Sequence, residues 1–274
     1  MIFTIPSNRI PFTLVIAIES KGDVKLKITA SDDKKPMTFF YNRNIVVNGQ
    51  REIQLKMPIS PKILIVEIYN VEVGRYDNDE DGSFRIVKFE PKKLKQNPVW
   101  LKPEDTSFMR FAKQFSENAS ILSAGDKKPS IYRSDDAKYT IDYYDKIRDK
   151  KTGKVVSTPA RIGHTTGIIE VSKHDFMQYT VPMRMVILLH EYAHKYKNPK
   201  IGKQISDEVA ADINALSMYL SEGFSEVEAH RAFLTVFKGS DNAQNTRRYL
   251  ILKDFIAKFN NGEMNNFITD YKTK

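Results

Sequence analysis

The chain has 274 residues, a formal net charge of +9 and no cysteine. That length allows two domains or one large one, and the missing cysteine excludes disulfides, Cys-ligated zinc and a cysteine nucleophile, so any metal site must use His, Asp and Glu. No apolar run reaches membrane-span length, and the start, Met-Ile-Phe-Thr-Ile-Pro, lacks the pattern of a signal peptide, so a cytoplasmic or other non-oxidising setting is expected.

Residues 1–92 read as β structure. Thr13 to Glu19 is strongly apolar, and Asp23 to Thr29 alternates, with Val24, Leu26 and Ile28 on one face and Lys25 and Lys27 on the other. Met37 to Tyr41, Asn44 to Val47, Glu52 to Met57, Ile63 to Ile68 and Phe84 to Phe89 follow as short strands. Turns are expected at Lys21-Gly22-Asp23, at Asn48-Gly49 as a hairpin, and at Asp81-Gly82. Such a series of short strands suggests an antiparallel β-sandwich, a domain that docks another protein. The run Asp77-Asn-Asp79-Glu-Asp81-Gly82 opens like a calcium loop. Its twelfth position is Lys88 where a bidentate Glu is needed, so it reads as an acidic hairpin tip.

Residues 93–103, rich in Pro and Lys, read as a linker, and 104–274 as a second domain. Glu104 to Asn118 is helix-compatible, with Phe108, Phe111, Ala112 and Phe115 on one side. Strand-like pieces follow in Ile131 to Tyr144 and in Gly167 to Ser172. Thr180-Val-Pro182 starts a helix that runs to about Tyr196 and stops at Asn198-Pro199, before a short loop at 199–203. A second helix begins near Ser206 and ends at Gly223; Ser225 to Glu228 is a capping box for a third, through about Phe237; and Asn245 caps a last one, Thr246 to Phe259. The lysines are spread along the chain and often alternate with apolar residues, so the positive charge reads as solvated faces and nucleic acid is not the expected partner.

One stretch carries chemistry. His190-Glu191-Tyr192-Ala193-His194 is H-E-x-x-H inside an apolar, helix-forming run, in a chain with only five histidines. Positions four apart share a helical face, so both imidazoles can reach one ion, with Glu191 beside it as a general base. A catalytic zinc site needs a third protein ligand. Glu208 lies 14 residues after His194, far enough for the chain to reverse, and Asp212 shares its face. The small Ala210 and Ala211 permit close helix contact. Glu208 can ligate, and Asp212 can orient a ligand His through its other ring nitrogen.

His190-Glu191-x-x-His194 followed by Glu208-x-x-Ala211-Asp212 resembles the gluzincin branch of zincin metallopeptidases, over roughly residues 165–235. The metzincin variant does not fit, because Lys197 and Lys200 stand where it has Gly and His. The expected elements make an α+β chain whose second domain is mostly helical with a small sheet, and the resemblance implies that this domain is zincin-like. It implies Zn²⁺ on His190, His194 and Glu208, Glu191 as base, and hydrolysis of a protein or peptide, with endopeptidase action expected. The strand Gly167 to Ser172 is expected to align the substrate by edge pairing. For the oxyanion donor His230, His164, Tyr192 and Tyr219 are the candidates; His174 reads as surface. A second reading is a structural or interaction protein of a larger assembly, such as a virus particle, on the same scaffold with little or no activity. An intact Glu191 weighs against it, since a structural site gains nothing from a base. A nucleic-acid-binding protein with a zinc-stabilised domain would need clustered Arg and aromatic residues, which this sequence lacks.

Overall fold

The computed structural model of the protein describes residues 1–75, 82–99, 101–196, 207–237 and 243–263. The chain is of mixed α+β type. It divides into two compact units, Met1–Lys95 and Gln96–Lys274. The calcium-like run with Asp77, Asp79 and Asp81, and the turn expected around 198–203, lie outside the described residues.

The first unit is antiparallel: β1 (Ile2–Ile5), β2 (Phe12–Asp32), β3 (Lys35–Met57), β4 (Leu64–Asn70) and β5 (Phe84–Lys93). The short strands expected from the sequence merge here, because β2 and β3 run for 21 and 23 residues. They form a hairpin whose turn is at Asp33-Lys34, where the Lys34 amide donates to the Asp32 carboxylate at 2.8 Å. Asn48-Gly49 is therefore not a hairpin turn. Ser20 pairs with Gly49 and Val24 with Val47, so Lys21 to Asp23 form an irregularity within a continuous ladder. Gly49, at φ +67°, supplies the backbone conformation this needs, and Asn48 donates across it to Asp23 at 2.7 Å. An Asn-Gly pair signals positive φ; whether that makes a turn or a bulge is decided by the partner strand.

The sheet order is β1-β4-β2-β3, with β5 also on β2. One edge of β2 takes β3 along its length, while the other takes β5 over Phe12–Ser20 and β4 over Leu26–Asp32. The two sheets expected of a sandwich are thus one hydrogen-bonded sheet with different neighbours on its two halves. Leu14, Ile16, Ile18, Leu26, Ile28 and Ala30 are fully buried along β2, the period of two that a covered strand face requires.

The second unit contains α1 (Pro103–Asn118), β6 (Ser130–Arg133), β7 (Thr140–Tyr144), β8 (Ala160–Ile162), β9 (Ile169–Ser172) and α2 (Lys173–Phe176). Then come α3 (Val181–Lys195), α4 (Asp207–Ser221), α5 (Glu226–Ala232) running into a π-helical turn (Phe233–Phe237), and α6 (Ala243–Asn260). Its sheet has the order β6-β7-β9-β8, with β7 and β9 parallel and the other pairs antiparallel. Every residue of α3 from Val181 to His190 is buried, as expected of a helix packed on all sides. It contacts α1, α4, α5, β8 and β9. Pro182 stands in its first turn, where a missing N–H costs nothing.

Two expected caps differ. Ser225 precedes α5 without a side-chain capping bond, and the Glu228 side chain turns inward and accepts from the Thr180 hydroxyl at 2.9 Å. Asn245 lies inside α6, which begins at Ala243.

Candidate metal centre

The arrangement follows from two helices with different faces. In α4 the small Ala210, Ala211 and Ala215 are buried, which lets it lie close against α3. His190 and His194, one turn apart on α3, bring their Nε2 atoms to 3.0 Å of each other. Glu208, in the first turn of α4, places one carboxylate oxygen 3.6 Å from His190 Nε2 and the other 3.6 Å from His194 Nε2. One donor atom from each of the three lies within 4.8 Å of the others.

The opposite ring nitrogens explain why both Nε2 atoms turn inward. His190 Nδ1 is 2.8 Å from Asp212, and His194 Nδ1 is 2.8 Å from Asp207. A carboxylate on Nδ1 favours the tautomer protonated there, which leaves the Nε2 lone pair for a cation. Two imidazoles and a carboxylate, each imidazole braced from behind, fit a divalent ion that accepts nitrogen and oxygen donors. Asp212 is sealed from solvent, whereas Asp207 is exposed.

His190, His194, Glu208 and Asp207 line a cleft of about 430 Å³ together with Glu191 and β8. Burial pushes the Glu191 carboxyl up from its ordinary value, against the pull of both histidines and of the Ile162 amide. For His190, burial opposes the charged form, but the hydrogen bond and charge of Asp212 prevail and its pKa is raised. Burial, then the neighbouring His190, lowers that of His194.

β9, within the expected substrate-aligning segment, does not offer an edge. It is paired on both sides, with β7 and with β8. The strand at the cleft is β8, which ends the sheet. Pro159 accepts from Ser172, and Gly163 donates to Ile168. By antiparallel alternation the backbone groups of Ala160 and Ile162 therefore point away from β9.

Of the four oxyanion candidates, His164 lines the cleft, with its ring 5.8 Å from that of His194. His230 is not part of the cleft lining; its ring meets Tyr249 edge-on at 5.8 Å. Tyr192 donates to Asp105 at 2.8 Å and stacks on Phe108, and Tyr219 donates to Ser225 at 3.3 Å; neither lines the cleft. His174 is exposed beside Asp175.

Sequence reasoning missed two charged groups here. Asp207 had a signal, since it directly precedes Glu208, the candidate ligand on α4. Arg248, on α6, pairs with both Glu208 and Asp212 and has no such local signal. Comparison with known protein families, curated proteins and solved structures finds no match.

Proposed function

We propose that the second unit is a zinc-dependent peptidase. His190, His194 and Glu208 would hold the ion, and the observation that carries the reading is the convergence of these three side chains beside Glu191 in one cleft. When bound, zinc supplies Lewis acidity that polarises a carbonyl and brings the pKa of water towards about 7.

The chain's own residues do the rest. Glu191 takes the proton of the attacking water and delivers it to the leaving amine. Its buried setting, which favours the protonated form once the proton has arrived, suits that shuttle. The outward backbone of Ala160 in β8 can pair with an extended peptide, so that the scissile bond is drawn past Glu191, which accepts from the neighbouring Ile162 amide. His164, on the same wall of the cleft, would donate to the oxyanion.

The test measures bound zinc and casein hydrolysis for the wild type and for Glu191→Gln. The expected result is equal metal content with hydrolysis about 10²–10⁴-fold slower in the variant. Full metal occupancy with equal inactivity in both proteins would replace the peptidase by a structural or interaction role.

A further inference from the structure

We propose that Arg248 is the positioning residue of this centre, holding Glu208 and Asp212 in the arrangement that receives the ion. The site is then built from α3, α4 and α6, and H-E-x-x-H with its downstream Glu is incomplete without the last helix. This rests on the metal-binding part of the reading above and not on peptidase activity.

Arg248 Nη2 lies 2.7 Å from Asp212 Oδ1 and 3.1 Å from Glu208 Oε2, and Nε bonds the other Asp212 oxygen. The guanidinium therefore grips Asp212 with two donors and shares one of them with Glu208. Each carboxylate has a separate need for this. Asp212 is fully buried, and a buried carboxylate requires more than one partner if it is to stay charged while bracing His190. Glu208 has 49% of its side chain exposed, so it would otherwise sample rotamers that turn away from the imidazoles. Fixing it during folding removes that ordering cost from the metal-binding step.

The placement of α6 agrees. Its buried side chains, Leu252, Phe255, Ile256 and Phe259, all follow Arg248. The beginning of the helix thus reaches the centre through ion pairs and not through apolar burial. Charge alone would not suffice, because a second cation near a divalent ion repels it. What Arg248 contributes is the planar fork, which a lysine cannot reproduce.

The decisive variant is Arg248→Lys, which keeps the cation beside buried Asp212, and therefore the repulsion, but loses the fork. Metal-free protein is titrated with Co²⁺, followed by visible absorption, and then competed with Zn²⁺. Far-UV circular dichroism checks the fold. Arg248→Lys is expected to bind at least about 10-fold more weakly. Arg161→Gln is the control, since Arg161 also lines the cleft but pairs with Glu170 at 2.6 Å; its affinity is expected to stay at the wild-type level. Hydrogen exchange over 243–251 is expected to speed up in Arg248→Lys. Wild-type affinity in that variant, or an equal loss in Arg161→Gln, overturns the proposal. Faster exchange without weaker binding also overturns it, by reducing Arg248 to a tie for the helix. A wild type that binds neither ion removes the metal centre itself. Metal binding that depends on Arg248 without any peptidase activity leaves this proposal standing and removes the peptidase.

Discussion

The two units solve the problem of their interiors differently. Among the described residues of Met1–Lys95, Asp32 is the one charged side chain that is buried, and it serves the hairpin turn. The second unit buries Asp105, Glu117, Glu170, Arg184, His190, Asp212 and Glu228. Buried charge is costly unless paired, so a unit that accumulates it is organised around something other than stability. Most of these groups converge on α3. Thr180 donates to Glu228, Arg184 to backbone carbonyls, Tyr192 to Asp105, and His190 meets Asp212. The helix that carries the two imidazoles is thus fixed by polar bonds from its N-cap to its last turn. The first unit relies on apolar alternation that specifies strands and little else.

Arg184 offers the hardest test of that contrast. It is fully buried, and its guanidinium donates to Ser116 at 3.1 Å, Phe176 at 3.3 Å and Met177 at 3.4 Å, over the Phe176 ring. Burial pushes its pKa down to about 10. Three carbonyls from the ends of α1 and α2 replace the missing carboxylate. Arg184→Ala removes the side chain, leaves a cavity and strips those carbonyls of their donor, a loss of about 5 kcal/mol. Denaturant unfolding followed by separate probes for the two units measures it, since a single two-state fit is not assured for such a chain. Arg184→Met separates volume from charge. If Met restores full stability, the buried polar bonds along α3 are incidental and the contrast fails.

The matching substitution in the first unit is Leu26→Ala. Leu26 is fully buried in β2, opposite Ile45 on β3 and Asn70 on β4. The expected loss is about 3 kcal/mol, read from the unfolding of that unit. The Co²⁺ affinity of the second unit is expected to stay unchanged. A shift in metal binding from this site would show that the two interiors are not independent, and the comparison would have to be recast as one cooperative system.

What the sequence made legible follows the range of each signal. His190 and His194 are four apart on a continuous apolar run, and Glu208 and Asp212 repeat that spacing, so local periodicity alone placed each pair on one face. Pro182 marked the helix start for an equally local reason. β8 has only Ala160, Arg161 and Ile162, too short for any alternation, so the sequence marks the longer apolar run at 167–172 and not the edge strand beside it. Arg248 reaches Asp212 across 36 residues, and nothing near it in the chain distinguishes it from a surface arginine. The direction of a tyrosine hydroxyl depends on neighbours distant in the chain, which periodicity does not supply. Tyr192 faces α1 on the far side of the helix from the cleft lining.

The smallest expected effect tests burial within the centre itself. Asp212 and Asp207 make the same contact, 2.8 Å from the Nδ1 of an imidazole of the proposed centre, but Asp212 is sealed and the Asp207 side chain is 53% exposed. Solvent competes for and screens the exposed carboxylate, so its hold on the His194 ring is weaker. Changing either residue to Asn keeps an acceptor oxygen and removes the charge. Asp212→Asn is expected to weaken Co²⁺ binding by about 100-fold and Asp207→Asn by about 10-fold or less. The ratio matters more than either value, because each variant alters one carboxylate behind one imidazole, and for Asp212 seclusion acts together with its pairing to Arg248. Equal losses would mean that the buried partner gains nothing from its seclusion, and the concentration of interior charge around α3 would then need a cause other than the metal.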